Sequence, residues 1–184
     1  MDEGKDNLPG WQPLAMTHPH LAEFSAFLPE LNKETDRGMV LIATSFIDEL
    51  IRRTLLAFLL ESDTSSSLVE GFSAPLGSLA TRCAAAFALG LISERELQEA
   101  DTLRKIRNQF AHHVHVSFEN QSIRDLCKNL TMAAPEYNAI QEQRTVTMDA
   151  RGRFCTAAGA LILNLTNRPH YVSRQRPQFV QWPY

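Results

Sequence analysis

Arg107, Asn108 and His112 sit in the stretch Ile106-Arg107-Asn108-Gln109-Phe110-Ala111-His112. A guanidinium stays charged at every accessible pH and forks onto phosphate or carboxylate oxygens, while an imidazole gains or loses a proton near neutrality. Arg107 could stabilise a charged phosphate, Asn108 could orient it, and His112 could act as acid or base. The plainer reading places Asn108 and His112 near a helix C-terminus, where they satisfy free carbonyls and the helix dipole. Five residues of straight helix turn through about 140°, so Arg107 and His112 do not share a face. They meet only if His112 lies beyond the helix end or if two protomers meet there. Arg104 and Asn108, four apart, do share a face, as do Asn108 and His112.

A second polar cluster, Asp48, Glu49, Arg52 and Arg53, interrupts a long apolar run. Its spacing predicts Asp48–Arg52 and Glu49–Arg53 pairs. The four side chains form either a polar cleft or partner face, or a solvated strip. His112, His113 and His115, with Glu119 nearby, invite a metal reading. No cysteine or further carboxylate completes a recognised ligand spacing, so no metal site is expected. No Walker loop, Rossmann glycine pattern or G-x-S-x-G elbow occurs, and no cofactor is implied.

The elements that must position these residues are helical. Leu21, Phe24, Leu28 and Leu31 are spaced for a short helix. Glu34-Thr35-Asp36 offers N-caps for a long helix from about 37 to 60, apolar over much of its circumference and therefore central. Ser62 to Ser67 reads as a polar loop. An Ala-rich helix over about 78–89 stops at Gly90. Ser93 and Glu96 form an S-x-x-E capping box, with Ile92 and Leu97 at the staple positions. That helix runs to about His113. Val114 to Phe118 is β-like and too short to decide. Ser122 caps a short helix through Leu130, and Pro135 to Thr145 is a loop. Thr147 caps a last helix to about Asn167, with Cys155, Ala158, Leu161, Ile162 and Leu165 inward, and Pro169 ends it.

The expected fold is all-α, a single-domain bundle of five or six helices. A flexible arm covers residues 1–18, the helical domain 19–168, and an extended tail 169–184. The tail's aromatics and arginines could stack on bases, but its three prolines and sparse charge favour a strap docked on the surface or on a partner.

The 184 residues suffice for a full core without disulfides. Cys83, Cys127 and Cys155 are odd in number and widely spaced, as in a reduced protein. The acidic start is unlike a signal peptide, and the apolar run from Met39 to Ile47 is too short to span a bilayer, so a cytoplasmic protein without membrane contact is expected. Residues 1–92 hold 6 Lys+Arg against 12 Asp+Glu, net −6, and residues 93–184 hold 12 against 9, net +3. This bias falls short of a DNA-binding stripe. The turn at Leu89-Gly90-Leu91 could begin a helix-turn-helix, yet its second helix opens with Glu94, Glu96, Glu99 and Asp101. Those carboxylates would repel a phosphate backbone, so direct sequence-specific DNA binding is not expected.

Residues 27–50, with Glu34-Thr35-Asp36-Arg37-Gly38 and Asp48-Glu49 among them, resemble the opening of the mannitol operon repressor (MltR) family. Ile106 to His112 resembles that family's second block, and the likeness covers about residues 20–168. The resemblance implies an all-α transcriptional repressor of sugar-alcohol uptake that lacks its own DNA-binding motif and works through another regulatory protein. Arg107-Asn108-x-x-x-His112 is also similar to the R-x4-6-H motif of HEPN domains, helical bundles that often dimerise through this region. In ribonuclease members, Arg and His from two subunits form one metal-independent RNA-cleaving site. The expectation is therefore a homodimeric regulator with Asp48, Glu49, Arg52, Arg53 and Arg104 at binding or interface positions. The alternative is a HEPN-type ribonuclease that acts on RNA through Arg107, Asn108 and His112.

Overall fold

The computed structural model describes residues 21–133 and 148–183. Among these, eight helices occur: α1 (Ala22–Lys33), α2 (Asp36–Phe58), α3 (Asp63–Val69), α4 (Leu79–Ala88), α5 (Glu94–His112), α6 (Gln121–Lys128), α7 (Ala150–Thr166) and α8 (Arg168–Ser173). No strand is present among the described residues. The expected all-α class is found, with two more helices than the six read from the sequence. The arm at 1–18, the loop at 135–145 and the Thr147 cap lie outside the described residues.

Helix α2 is the axis of the fold and packs on α7, α8, α5 and α4. Thr35 caps it, accepting the Gly38 N–H at 3.1 Å. Met39, Val40, Ala43, Ile47, Leu50, Ile51 and Leu55 are all buried, so the apolar circumference read from the sequence is used on several sides. Two threonines sit inside this surface. Their hydroxyls donate back along the helix, Thr44 to Val40 O at 2.7 Å and Thr54 to Leu50 O at 2.8 Å, so neither polar group is stranded. Arg176 donates to the carbonyls of Ala57 and Leu56 at the other end, supplying partners that a helix C-terminus lacks internally.

Around α2, local signals end the helices. The Ala-rich α4 closes at Gly90 (φ +70°), and Leu91 N–H donates to Ala86 O at 2.8 Å in a Schellman closure. The Ser93/Glu96 capping box forms as expected. Glu96 then does more than cap. It is buried and also receives Arg168 at 2.6 Å, tying the start of α5 to α8. Glu99, likewise buried, accepts the Thr131 and Met132 amides at 2.9 and 3.0 Å.

Several expectations are corrected. Ser62 to Ser67 is largely the helix α3, because Ser62 Oγ accepts the Ser65 N–H and the apolar Val69 is buried at its far end. Helix α6 starts after Asn120, not Ser122, and has no side-chain cap. Asp149 caps α7 by accepting the Gly152 N–H at 2.7 Å. Within α7, Phe154 and Ala157 join the inward face while Cys155 is only half-buried. Pro169 does not end helical structure. It occupies the first turn of α8, where a missing N–H costs nothing. The segment from Val114 to Phe118 forms no strand. Its Phe118 packs between Phe110 and Phe154, at ring-centroid distances of 5.1 and 5.6 Å.

Candidate functional site

The sequence-selected polar residues of α2 fall into two adjoining groups, since Asp48 and Arg52, four apart, lie side by side on the helix. The first lies in a cleft of about 400 Å³ between α2, α4 and α5. Thr44, Ser45 and Asp48 line it from α2, Arg104, Arg107 and Asn108 from α5, and residues 77–80 from the start of α4. Their convergence follows from helical period. Ser45 and Asp48 are three apart, as are Arg104 and Arg107, and Arg104 and Asn108 are four apart. The small residues Gly77 and Ala80 leave the space open.

Each charge in the cleft has a distinct environment. Asp48 Oδ2 receives the buried Arg82 guanidinium at 2.8 Å. Arg82 also donates to the carbonyls of Leu76 and Val69, so one arginine pins the α3–α4 connection to α2. Asp48 Oδ1 is enclosed and has no hydrogen-bond partner among the described residues. Arg104 pairs with Asp101 at 2.5 Å. Burial opposes ionisation of the Asp101 carboxyl, but Lys105 and Arg104 outweigh it and hold its pKa below the usual range. Arg107 is exposed and meets only Asn108 Oδ1, at 3.2 Å, and no carboxylate among the described residues.

The second group is Glu49, Arg52 and Arg53. The sequence paired Asp48 with Arg52. In the structure Asp48 pairs with Arg82, and Arg52 clasps Glu49 at 2.6 Å and reaches Glu70. The expected Glu49–Arg53 pair is present at 2.7 Å, and Arg53 continues to Glu23 at 2.9 Å. Hydrogen bonds from Arg52, with those from Arg53, hold the Glu49 pKa down at about 2. This strip links α2 to α1 and to the end of α3. Arg82 escaped the sequence reading because it is a single cation in an Ala-rich helix; its only signal was a charge amid small apolar residues.

His112 is the last residue of α5, exposed, and does not line the cleft that Arg107 and Asn108 share. His113 closes the helix, its N–H donating to Gln109 O, and Arg37 donates to the carbonyls of His113 and Val114 at 2.6 and 2.9 Å. No three metal-ligating side chains gather among the described residues. No described helix is long and apolar enough to cross a membrane.

These features define an all-α bundle built on one buried central helix, with an arginine-lined cleft and, beside it, an ion-pair strip that ties that helix to its neighbours. Compared with solved structures, the chain is similar to a chain in the X-ray structure of the MtlR-HPr complex from Escherichia coli, with a TM-score of 0.57. The match has 20% identity and covers 82% of this chain and 98% of that one. No protein-family model and no curated protein sequence matches the chain. The fold implied by the repressor-family resemblance is thus the fold observed.

Proposed function

We propose that this protein is an MltR-like transcriptional regulator that represses a sugar-alcohol uptake system through a protein partner. The observation that carries the proposal is the structural likeness, which takes in nearly the whole of a chain solved in complex with HPr. A protein related to HPr is the proposed partner, and a homodimer is the proposed assembly. The start of α5 supports action without direct DNA reading. Glu94 and Glu96 lie in its first turn, and Glu96 and Glu99 are consumed in holding α5 to α8 and to the segment after α6. A helix anchored this way and acidic at its start is poorly suited to a phosphate-lined groove.

Isothermal titration of the purified protein with HPr tests the partner. A saturable complex is expected. A folded protein that shows no heat and no co-elution with HPr would remove HPr from the proposal.

A further inference from the structure

We propose that the cleft between α2, α4 and α5 binds a small phosphomonoester that carries a free hydroxyl group. This goes beyond the regulatory reading and does not depend on it. The charge balance is the first ground. Arg104 is matched by Asp101 and Asp48 by Arg82, which leaves the positive charge of Arg107 uncompensated among the described residues. An anion is therefore favoured over a neutral or zwitterionic guest. A planar guanidinium with free donors is suited to two oxygens of one phosphate.

The donor count is the second ground. Asn108 gives its Oδ1 to Arg107, so its amide nitrogen remains a donor. The Ser45 hydroxyl, on the facing helix, is exposed and makes no hydrogen bond among the described residues. At the start of α4, Ser78 caps the Thr81 amide, while the Leu79 and Ala80 amides have no acceptor among the described residues. First-turn amides and the dipole behind them favour an anion. These donors outnumber what the two oxygens of a carboxylate can use, and they suit the three terminal oxygens of a phosphomonoester.

Asp48 supplies the third ground and the hydroxyl. Its Oδ1 is an enclosed acceptor without a donor among the described residues, and such an acceptor gains from a donor that reaches it. The terminal torsion of an aspartate is broad and turns both oxygens together, so only a small rotation, which shifts Oδ2 along the Arg82 guanidinium without breaking that pair, brings Oδ1 toward the cleft that Asp48 lines. A ligand hydroxyl then donates to it. The cleft of about 400 Å³ lies within the range of small-ligand sites.

The test is calorimetric titration of the full chain with glycerol 3-phosphate, inorganic phosphate, glycerol and serine, repeated with Arg107→Gln and Asp48→Asn. Glycerol 3-phosphate should bind best, and Arg107→Gln should weaken it by about tenfold or more, the loss of a charge-assisted contact. Arg107 is exposed, and matching far-UV circular dichroism will show that the variant folds. In Asp48→Asn the amide oxygen faces Arg82 and an N–H₂ faces the cleft, so the preference for glycerol 3-phosphate over inorganic phosphate should shrink. Failure of every phosphate to saturate would overturn the proposal. So would binding that Arg107→Gln leaves unchanged, or tighter binding of serine or glycerol than of glycerol 3-phosphate.

Discussion

At the scale of single residues, the side chains with the greatest structural consequence are charged groups that give up solvent to hold segments together. Arg82 joins a carboxylate and two backbone carbonyls from three parts of the chain. Replacing it with Met, of similar reach but without donors, strands all three acceptors. Breaking a fully buried pair from one side costs about 3 kcal/mol or more; the Asp48 side chain stays 32% exposed, so a smaller fall in unfolding free energy, about 2 kcal/mol, is expected from urea titration of Arg82→Met. Thiol chemistry is the residue-scale counterpart. Burial pushes Cys83 and Cys127 up to about 12 and raises Cys155 as well, but Cys155 is only partly buried and is the one a reagent can reach. Since the thiolate is the reactive form, one of the three cysteines should react with a disulfide reagent in the native protein at mildly alkaline pH. All three should react after denaturation. Two fast native thiols would contradict the packing of α4 or α6.

At the scale of elements, the Glu49–Arg52–Arg53 strip connects α2 to its neighbours, and its worth is set by pH. The Glu49 carboxyl titrates near 2 in the folded chain against 4.5 for a free one, chiefly through Arg52 and then Arg53. A depressed carboxylate pKa contributes stability that is complete above the unfolded value and lost as pH falls through the folded one. The advantage of the wild type over Glu49→Gln, read from denaturant midpoints, should be constant above about pH 4.5 and shrink toward pH 2. A difference that stayed flat across this window would mean that Arg52 and Arg53 do not engage Glu49 in solution. The same strip shows what the sequence makes legible. Spacing along one helix foretold Glu49–Arg53, because three- and four-residue separations place side chains side by side. It mispaired Asp48, whose partner Arg82 comes from another helix 34 residues on. The six longer helices and the Ser93/Glu96 box were visible because period and caps are local. Helices α3 and α8 were missed because each is short and gains its order from tertiary anchors, Val69 in the core and Arg168 on Glu96. The cleft was half legible. Its polar members were picked out, but the small residues at the start of α4 that open it carry no chemical signature.

At the scale of the whole molecule, the issue is whether Arg107 and His112 can ever act together. Helix α5 continues unbroken through His112, so the two side chains leave it about 140° apart and about 7.5 Å along the axis. Arg107 lines the cleft and His112 does not. One protomer therefore keeps the pair apart, and an RNA-cleaving centre would need a second copy to bring the partner's histidine to the arginine. The regulatory proposal predicts that the purified protein, at concentrations where light scattering reports a dimer, leaves single-stranded RNA intact in the presence of a chelator. The competing outcome has its own signature. If cleavage occurs and both Arg107→Ala and His112→Ala abolish it, the two inactive proteins can be mixed and allowed to exchange. In a two-fold symmetric dimer each mixed pair rebuilds one of its two sites. Half of the dimers are mixed at random, so about a quarter of the wild-type rate should return. Recovery at that level would establish a composite ribonuclease and displace the regulator as the primary function. An intact RNA substrate together with a measurable HPr complex would leave Arg107 to the cleft and His112 to the end of its helix.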